Sequence, residues 1–195
     1  MLYVALKRHS LTHQLAAGIS HLFCPPCVAI GGMLLAAVAQ PSPKGWLCAG
    51  TYVFLAVFMP LLMLFWFMSH GQVSDLDVTR REERHRPFIV AVCGAAAAWA
   101  GLYVMAAPAL LVQFAAAHTT VMAMVLGVTL YWKISVHAAG AAGVATLVVT
   151  LVGDPTVVCL PVLLVAWSRL YLRRHTLSQV AAGGLLGAVV FAALL

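Results

Sequence analysis

An all-α membrane protein, a bundle of six or seven transmembrane helices with its functional groups at one membrane face, is predicted by three features of this sequence. The first is composition. The 195 residues are 64% hydrophobic and 8% charged, with a mean hydropathy of +1.01, whereas soluble domains carry about 25% charged residues. A soluble fold of this size has too little interior for so much apolar surface. The second is length, because the apolar residues fall in runs close to the roughly 20 residues that cross a hydrocarbon core. The third is the placement of charge, which collects in the breaks between alternate runs.

The elements follow in order. Residues 1–15, with Lys7, Arg8 and His9 behind the first apolar residues, read as an interfacial amphipathic helix rather than a cleavable signal peptide. Seven apolar runs come next, at 16–40, 46–69, 88–106, 111–133, 137–153, 155–172 and 177–195, all within one membrane domain spanning 1–195. "PSPKG" at 41–45, Pro108 and "GDP" at 153–155 supply the turns. "CPPC" at Cys24–Cys27 has a redox or metal spacing, but two prolines inside an apolar run predict a kink with two buried thiols. The five cysteines are scattered and imply neither a disulfide framework nor a zinc site. His118 falls mid-run, where a bond to a backbone carbonyl or a threonine is expected. Gly183 and Gly187 form a GxxxG that packs within the bundle or, in a homo-oligomer, between protomers.

Parity carries more information than the count. Two runs separate the polar loop 70–87 from "KISVH" (Lys133–His137), and two more separate "KISVH" from "SRLYLRRH" (Ser168–His175). An even number of crossings returns the chain to the same face, so the three polar clusters are expected to meet. On this topology ten of the eleven Lys and Arg share that face, and only Lys44 lies opposite. The positive-inside rule makes the shared face cytoplasmic.

Arginine near a bilayer is costly, so its presence points to function. Arg169 lies roughly 22 Å along its helix from Asp154, close to the interface; Arg173 and Arg174 read as snorkelling to it. The guanidinium fork matches phosphate oxygens. Phosphoryl transfer needs several such donors, an in-line nucleophile and an acid for the leaving group. The clusters offer Arg86, Lys133, Ser135, His137, Arg169 and His175. Two histidines with divided roles suit nucleophile and general acid, since imidazole titrates near neutrality.

These residues resemble the type 2 phosphatidic acid phosphatase (PAP2) superfamily. "SRLYLRRH" matches its third motif, Ser-Arg, five residues, His. "ISVH" aligns with its Pro-Ser-Gly-His motif, and "RHRP" ends like its first motif, Lys, six residues, Arg-Pro. The resemblance spans 79–179, with the first motif in loop 70–87 and the others in 133–179. It implies a metal-independent lipid phosphatase working through a phosphohistidine. His175 would attack phosphorus and His137 would protonate the leaving oxygen. Arg86, Arg169 and Ser135 would hold the phosphate, helped by the last helix's N-terminal amides.

Three departures stand out. Thr79 occupies the first-motif lysine position, leaving Arg80 to substitute, and Ile134 and Val136 replace proline and glycine. Gln179 stands where the family has an aspartate four residues after the nucleophile. It can orient the imidazole but brings no charge, and "TLSQ" also fits a capping box with Thr176 as N-cap. A polyprenyl phosphate-linked or phosphatidate-type substrate suits a site reached from the bilayer. Neither a metal nor another cofactor is expected, and no nucleic-acid signature is present. Two alternatives stand beside the phosphatase. One is a lipid-phosphate binder or transporter without turnover. The other is a magnesium-dependent prenyl or phosphoryl transferase using Asp75 and Asp77, in a loop that resembles the aspartate-rich motif of UbiA-type prenyltransferases.

Overall fold

The computed structural model describes residues 10–195, and it is helical with no strand among them. Most of the expected interfacial helix 1–15, with Lys7 and Arg8, lies outside the described residues. Eight helices follow: α1 Leu11–Leu22, α2 Pro25–Ala39, α3 Pro43–Ser69, α4 His85–Val104, α5 Ala109–Thr129, α6 Val136–Val152, α7 Thr156–Tyr171 and α8 Leu177–Leu194. Four of them (α3, α4, α5 and α8) are long and apolar enough to cross a bilayer, and the bent pair α1–α2 makes a fifth if counted as one span. Helices α6 and α7, of 17 and 16 residues, are apolar but shorter. Beside the six or seven spans expected from sequence, four or five helices meet the full length for crossing, and the two shorter apolar helices make up the rest. Large apolar side chains such as Leu160, Leu163 and Leu185 face outward, as an integral membrane protein requires.

Local chemistry explains the breaks. The expected span 16–40 is split by a 51° bend, because Pro25 and Pro26 occupy the first turn of α2, where no N–H partner is needed. The kink is present, but its thiols are not both buried: Cys24 is half-buried and Cys27 exposed. Region 88–133 forms two complete helices around Pro108, the N-cap of α5. Gly153 ends α6 with φ +79°, a conformation that favours glycine.

Packing places two helix ends side by side. A Cβ on Gly183 would run into the carbonyl of Ser135, and one on Gly187 into that of Ala139. The GxxxG of α8 thus lies against the start of α6, inside the bundle. On the other flank α3 widens into π turns at Val53–Phe58, just before Pro60, which has no N–H to donate. At the centre Tyr52, Phe114 and Phe191 meet edge-on. His118 bonds the Tyr52 hydroxyl at 2.9 Å rather than the expected carbonyl or threonine, since packing brings that hydroxyl to it.

Candidate active site

The three polar clusters converge. Arg81 donates to the Tyr131 carbonyl at 2.8 Å, Arg174 to the Thr79 hydroxyl at 2.7 Å, and Lys133 to the Arg174 carbonyl at 2.8 Å. The Ser135 N–H donates to the Gln179 carbonyl at 3.2 Å. The Arg174 and Lys133 bonds each join two of the clusters that parity assigned to one face, and the other two tie a cluster to Tyr131 or Gln179, close in the chain to another.

Arg169, near the end of α7, is 2% exposed. Its Nη1 is hydrogen-bonded to the Ser20 hydroxyl of α1, lies 3.2 Å from Asp77 Oδ2, and is 3.5 Å from Nε2 of His137. Its Nε is buried without a partner. The Nε–Nη2 edge, the one that grips oxyanions bidentately, is therefore free among the described residues. His137 is 5% exposed in the first turn of α6. Helix α1, which no motif indicated, holds the Arg169 side chain through Ser20.

His175 sits in the turn between α7 and α8 and is 7% exposed. Its Nδ1 is 3.1 Å from Gln179 Oε1, the same oxygen that accepts the Thr176 N–H at 3.2 Å. The backbone donor defines which end of the amide is oxygen, so Nδ1 must carry the proton. That leaves the lone pair on Nε2. Thr176 and Gln179 also complete the predicted capping box. Gln179 thus contacts both the helix cap and the imidazole, the two partners weighed for it from sequence.

The remaining expected residues divide. Ser135 is fully buried as the N-cap of α6, its hydroxyl 3.3 Å from the Ala138 N–H, and it does not line the cavity. Lys133 braces the α7–α8 turn behind His175 through Arg174. Arg86 is exposed and donates to Gln72 at 2.6 Å, and the Arg80 side chain is 72% exposed beside Glu83; neither reaches the cavity. Arg84 does. It is 3% exposed and donates to the Val78 and Ile134 carbonyls at 2.8 and 3.2 Å. Sequence reasoning passed over it because the Arg-Pro pair drew attention to Arg86, and no spacing rule marks which arginine turns inward.

Asp77, named from sequence as a magnesium ligand of the transferase alternative, instead pairs with Arg169, 92 residues away. Asp75 caps the same loop, accepting the Thr79 N–H at 3.2 Å and hydroxyl at 3.0 Å. The two carboxylates thus serve different partners, and no group of three metal-ligating side chains occurs among the described residues.

A cavity of about 300 Å³ joins these groups to the bilayer-facing helices. Asp77, Arg84, His137, Arg169 and His175 form its polar end. Pro25 and Ala29 of α2, Val57 and Leu61 of α3, Phe88 of α4 and Met122 of α5 line the rest. Burial, then Arg169, Lys133 and Arg84, push the His175 imidazole down to about 3, against the opposing bond to Gln179. Burial and Arg169 bring the Arg84 guanidinium down to about 10. Burial alone would raise the Asp77 carboxyl, but Arg169, His137 and Arg174 outweigh it and hold it below the ordinary value. The polar end is therefore rich in positive charge, holds one carboxylate, and presents a neutral imidazole.

Comparison with curated proteins and with solved structures returns no match. The profile of the PAP2 superfamily matches residues 78–195, which include Arg84, His137, Arg169, His175 and Gln179. That match covers more than half of the 195 residues, and with the converged motifs it establishes that the chain belongs to the PAP2 superfamily, whose members are typically phosphatases.

Proposed function

We propose that the protein is a metal-independent lipid phosphatase that hydrolyses a phosphomonoester or diphosphate of a membrane lipid through a phosphohistidine. The observation that carries this reading is Arg169. A buried guanidinium with an unpartnered Nε faces a cavity whose polar end holds two histidines and whose remainder is apolar. A phosphate would take the Nε–Nη2 edge, with Arg84 supplying the second cation in place of Arg86. Nε2 of His175 attacks phosphorus, and His137 protonates the leaving oxygen and later activates water.

The apolar wall suits an acyl or prenyl chain entering between α2, α3 and α4. Helices α6 and α7 reach only about 24–26 Å at 1.5 Å per residue, short of a core of ~30 Å. The charge gathered at their site-bearing ends suits the headgroup level, within reach of a polyprenyl phosphate-linked or phosphatidate-type lipid. The charge asymmetry supports a cytoplasmic site. The rival reading, a binder without turnover, rests on Gln179, which adds no charge beside the nucleophile.

Phosphate release from a panel of lipid phosphates, in EDTA, tests the proposal with purified wild type and His175→Ala. Release in EDTA that disappears in the variant is expected. Release that survives in the variant removes His175 as nucleophile, and binding without release favours the rival.

A further inference from the structure

The polar end of the cavity contains one carboxylate, and it does not lie beside the nucleophile. Asp77 Oδ2 is 3.2 Å from Nη1 of Arg169, the nitrogen that also lies 3.5 Å from His137 Nε2. We propose that Asp77 is the positioning carboxylate of the phosphoryl transfer, holding the charge of protonated His137 across Arg169 in place of the charge that Gln179 cannot give His175. This rests on the phosphatase reading above.

The chemistry requires such a charge. In the first step the lone pair of His175 Nε2 forms an N–P bond while the P–O bond to the lipid breaks. The leaving oxygen keeps that electron pair and takes a proton from Nε2 of His137. In the second step water attacks phosphorus and gives a proton to His137. The N–P bond then breaks, and its electron pair returns to His175. His137 must therefore carry positive charge at the start of each cycle, beside a guanidinium. Facing it are Arg169 from α7, Arg84 and Asp77 from the α3–α4 loop and His175 from the α7–α8 turn, with Ser20 of α1 on the far side of Arg169 and Lys133 and Arg174 behind them. Asp77 is the sole anion of that set.

The geometry lets Asp77 stay when substrate arrives. It uses Nη1, leaving Nε and Nη2 for phosphate. Its loop is braced on both sides: Asp75 binds Thr79, Glu83 accepts the Ser74 N–H at 2.7 Å, and Arg84 holds the Val78 carbonyl. Val78 itself is 4% exposed with φ +44°, a strained backbone for a β-branched residue. Such a turn keeps Asp77 directed at the cavity.

The test uses the full chain in detergent with two readouts. In ¹⁵N-histidine NMR with saturating inorganic phosphate, the His137 resonance, assigned by its loss in His137→Asn, reports the protonation midpoint. Asp77→Asn is expected to lower that midpoint by about one unit, and Asp77→Glu to restore it. In turnover, Asp77→Asn is expected to slow release from an alkyl lipid phosphate by about 10²-fold. Release from p-nitrophenyl phosphate, whose leaving group needs no proton, should stay within about threefold. An unmoved midpoint, or an equal loss on both substrates, would overturn the proposal. Wild type that binds phosphate but releases none from either substrate would remove the phosphatase reading, and the His137 midpoint alone would then decide for or against Asp77.

Discussion

Gln179 Oε1 lies 3.1 Å from Nδ1 of His175 and 3.2 Å from the backbone N–H of Thr176. One oxygen thereby caps a helix and selects the tautomer of the candidate nucleophile. The arrangement explains how glutamine serves where the family has an aspartate: orientation is kept and charge is given up.

Separating the two functions of Gln179 is straightforward. Gln179→Ala removes both, so turnover should fall by about 10²-fold and thermal stability by about 1 kcal/mol of capping. Gln179→Glu keeps an acceptor for both N–H groups and adds a charge that stabilises an imidazolium. Its kcat should exceed that of wild type several-fold, as measured by steady-state phosphate release. A glutamate variant as slow as the alanine variant would mean that the amide does more than orient.

Three arginines at the α3–α4 junction offer a comparison. Arg84→Gln should raise KM and lower kcat, because it removes a cation from the cavity and leaves the Val78 and Ile134 carbonyls short of a donor. Arg80→Ala and Arg86→Ala should stay within about twofold, since both side chains point to solvent. Kinetics with one lipid phosphate across the three variants decides the matter, and a severe loss in Arg86→Ala would reverse the assignment.

Glycine substitutions on α8 probe the coupling between its packing and the site. At Gly183 a Cβ meets the backbone of Ser135, two residues before His137, whereas at Gly184 it meets nothing within 4 Å. Gly183→Ala should lower both the melting temperature and turnover by driving α6 away from α8. Gly184→Ala should leave both unchanged. Thermal unfolding in detergent and phosphate release, run on the same preparations, check this pair.

The pH behaviour of His175 has a definite sign. Burial and neighbouring cations bring the folded group from 6.5 down to about 3, so between those values the unfolded chain binds more protons than the folded one. Stability therefore falls as pH drops below 6.5. Asp77, also depressed, adds to the same acid-side loss as pH falls through its folded value. The melting temperature of His175→Asn, which cannot titrate at this position, should decline less than that of wild type between pH 7 and 5. The ¹⁵N signal of His175 should remain that of a neutral imidazole over the same range without phosphate.

Much of the fold and part of the site were legible in residues 10–195. The capping box at Thr176–Gln179, the break at "CPPC" and the turn at Gly153 are set by neighbours in the chain, so local rules find them. The parity of the apolar runs also predicted that Arg169, His137 and His175 would share a face. The choice among near-equivalent partners was not legible. Arg84 rather than Arg86 turns inward, His118 takes the Tyr52 hydroxyl, and the thiol of Cys27 is exposed.

The sequence by itself determined the membrane class, the helix ends and the meeting of three polar clusters, because hydropathy, capping and chain parity depend only on order along the chain. The tertiary structure decided that α1 supplies Ser20 to Arg169, that Asp77 joins them from the α3–α4 loop, and that α2, α3, α4 and α5 together build the apolar wall. Those pairings span up to 149 residues. They depend on which helix faces approach closely enough to exclude solvent, a three-dimensional condition that no local spacing records.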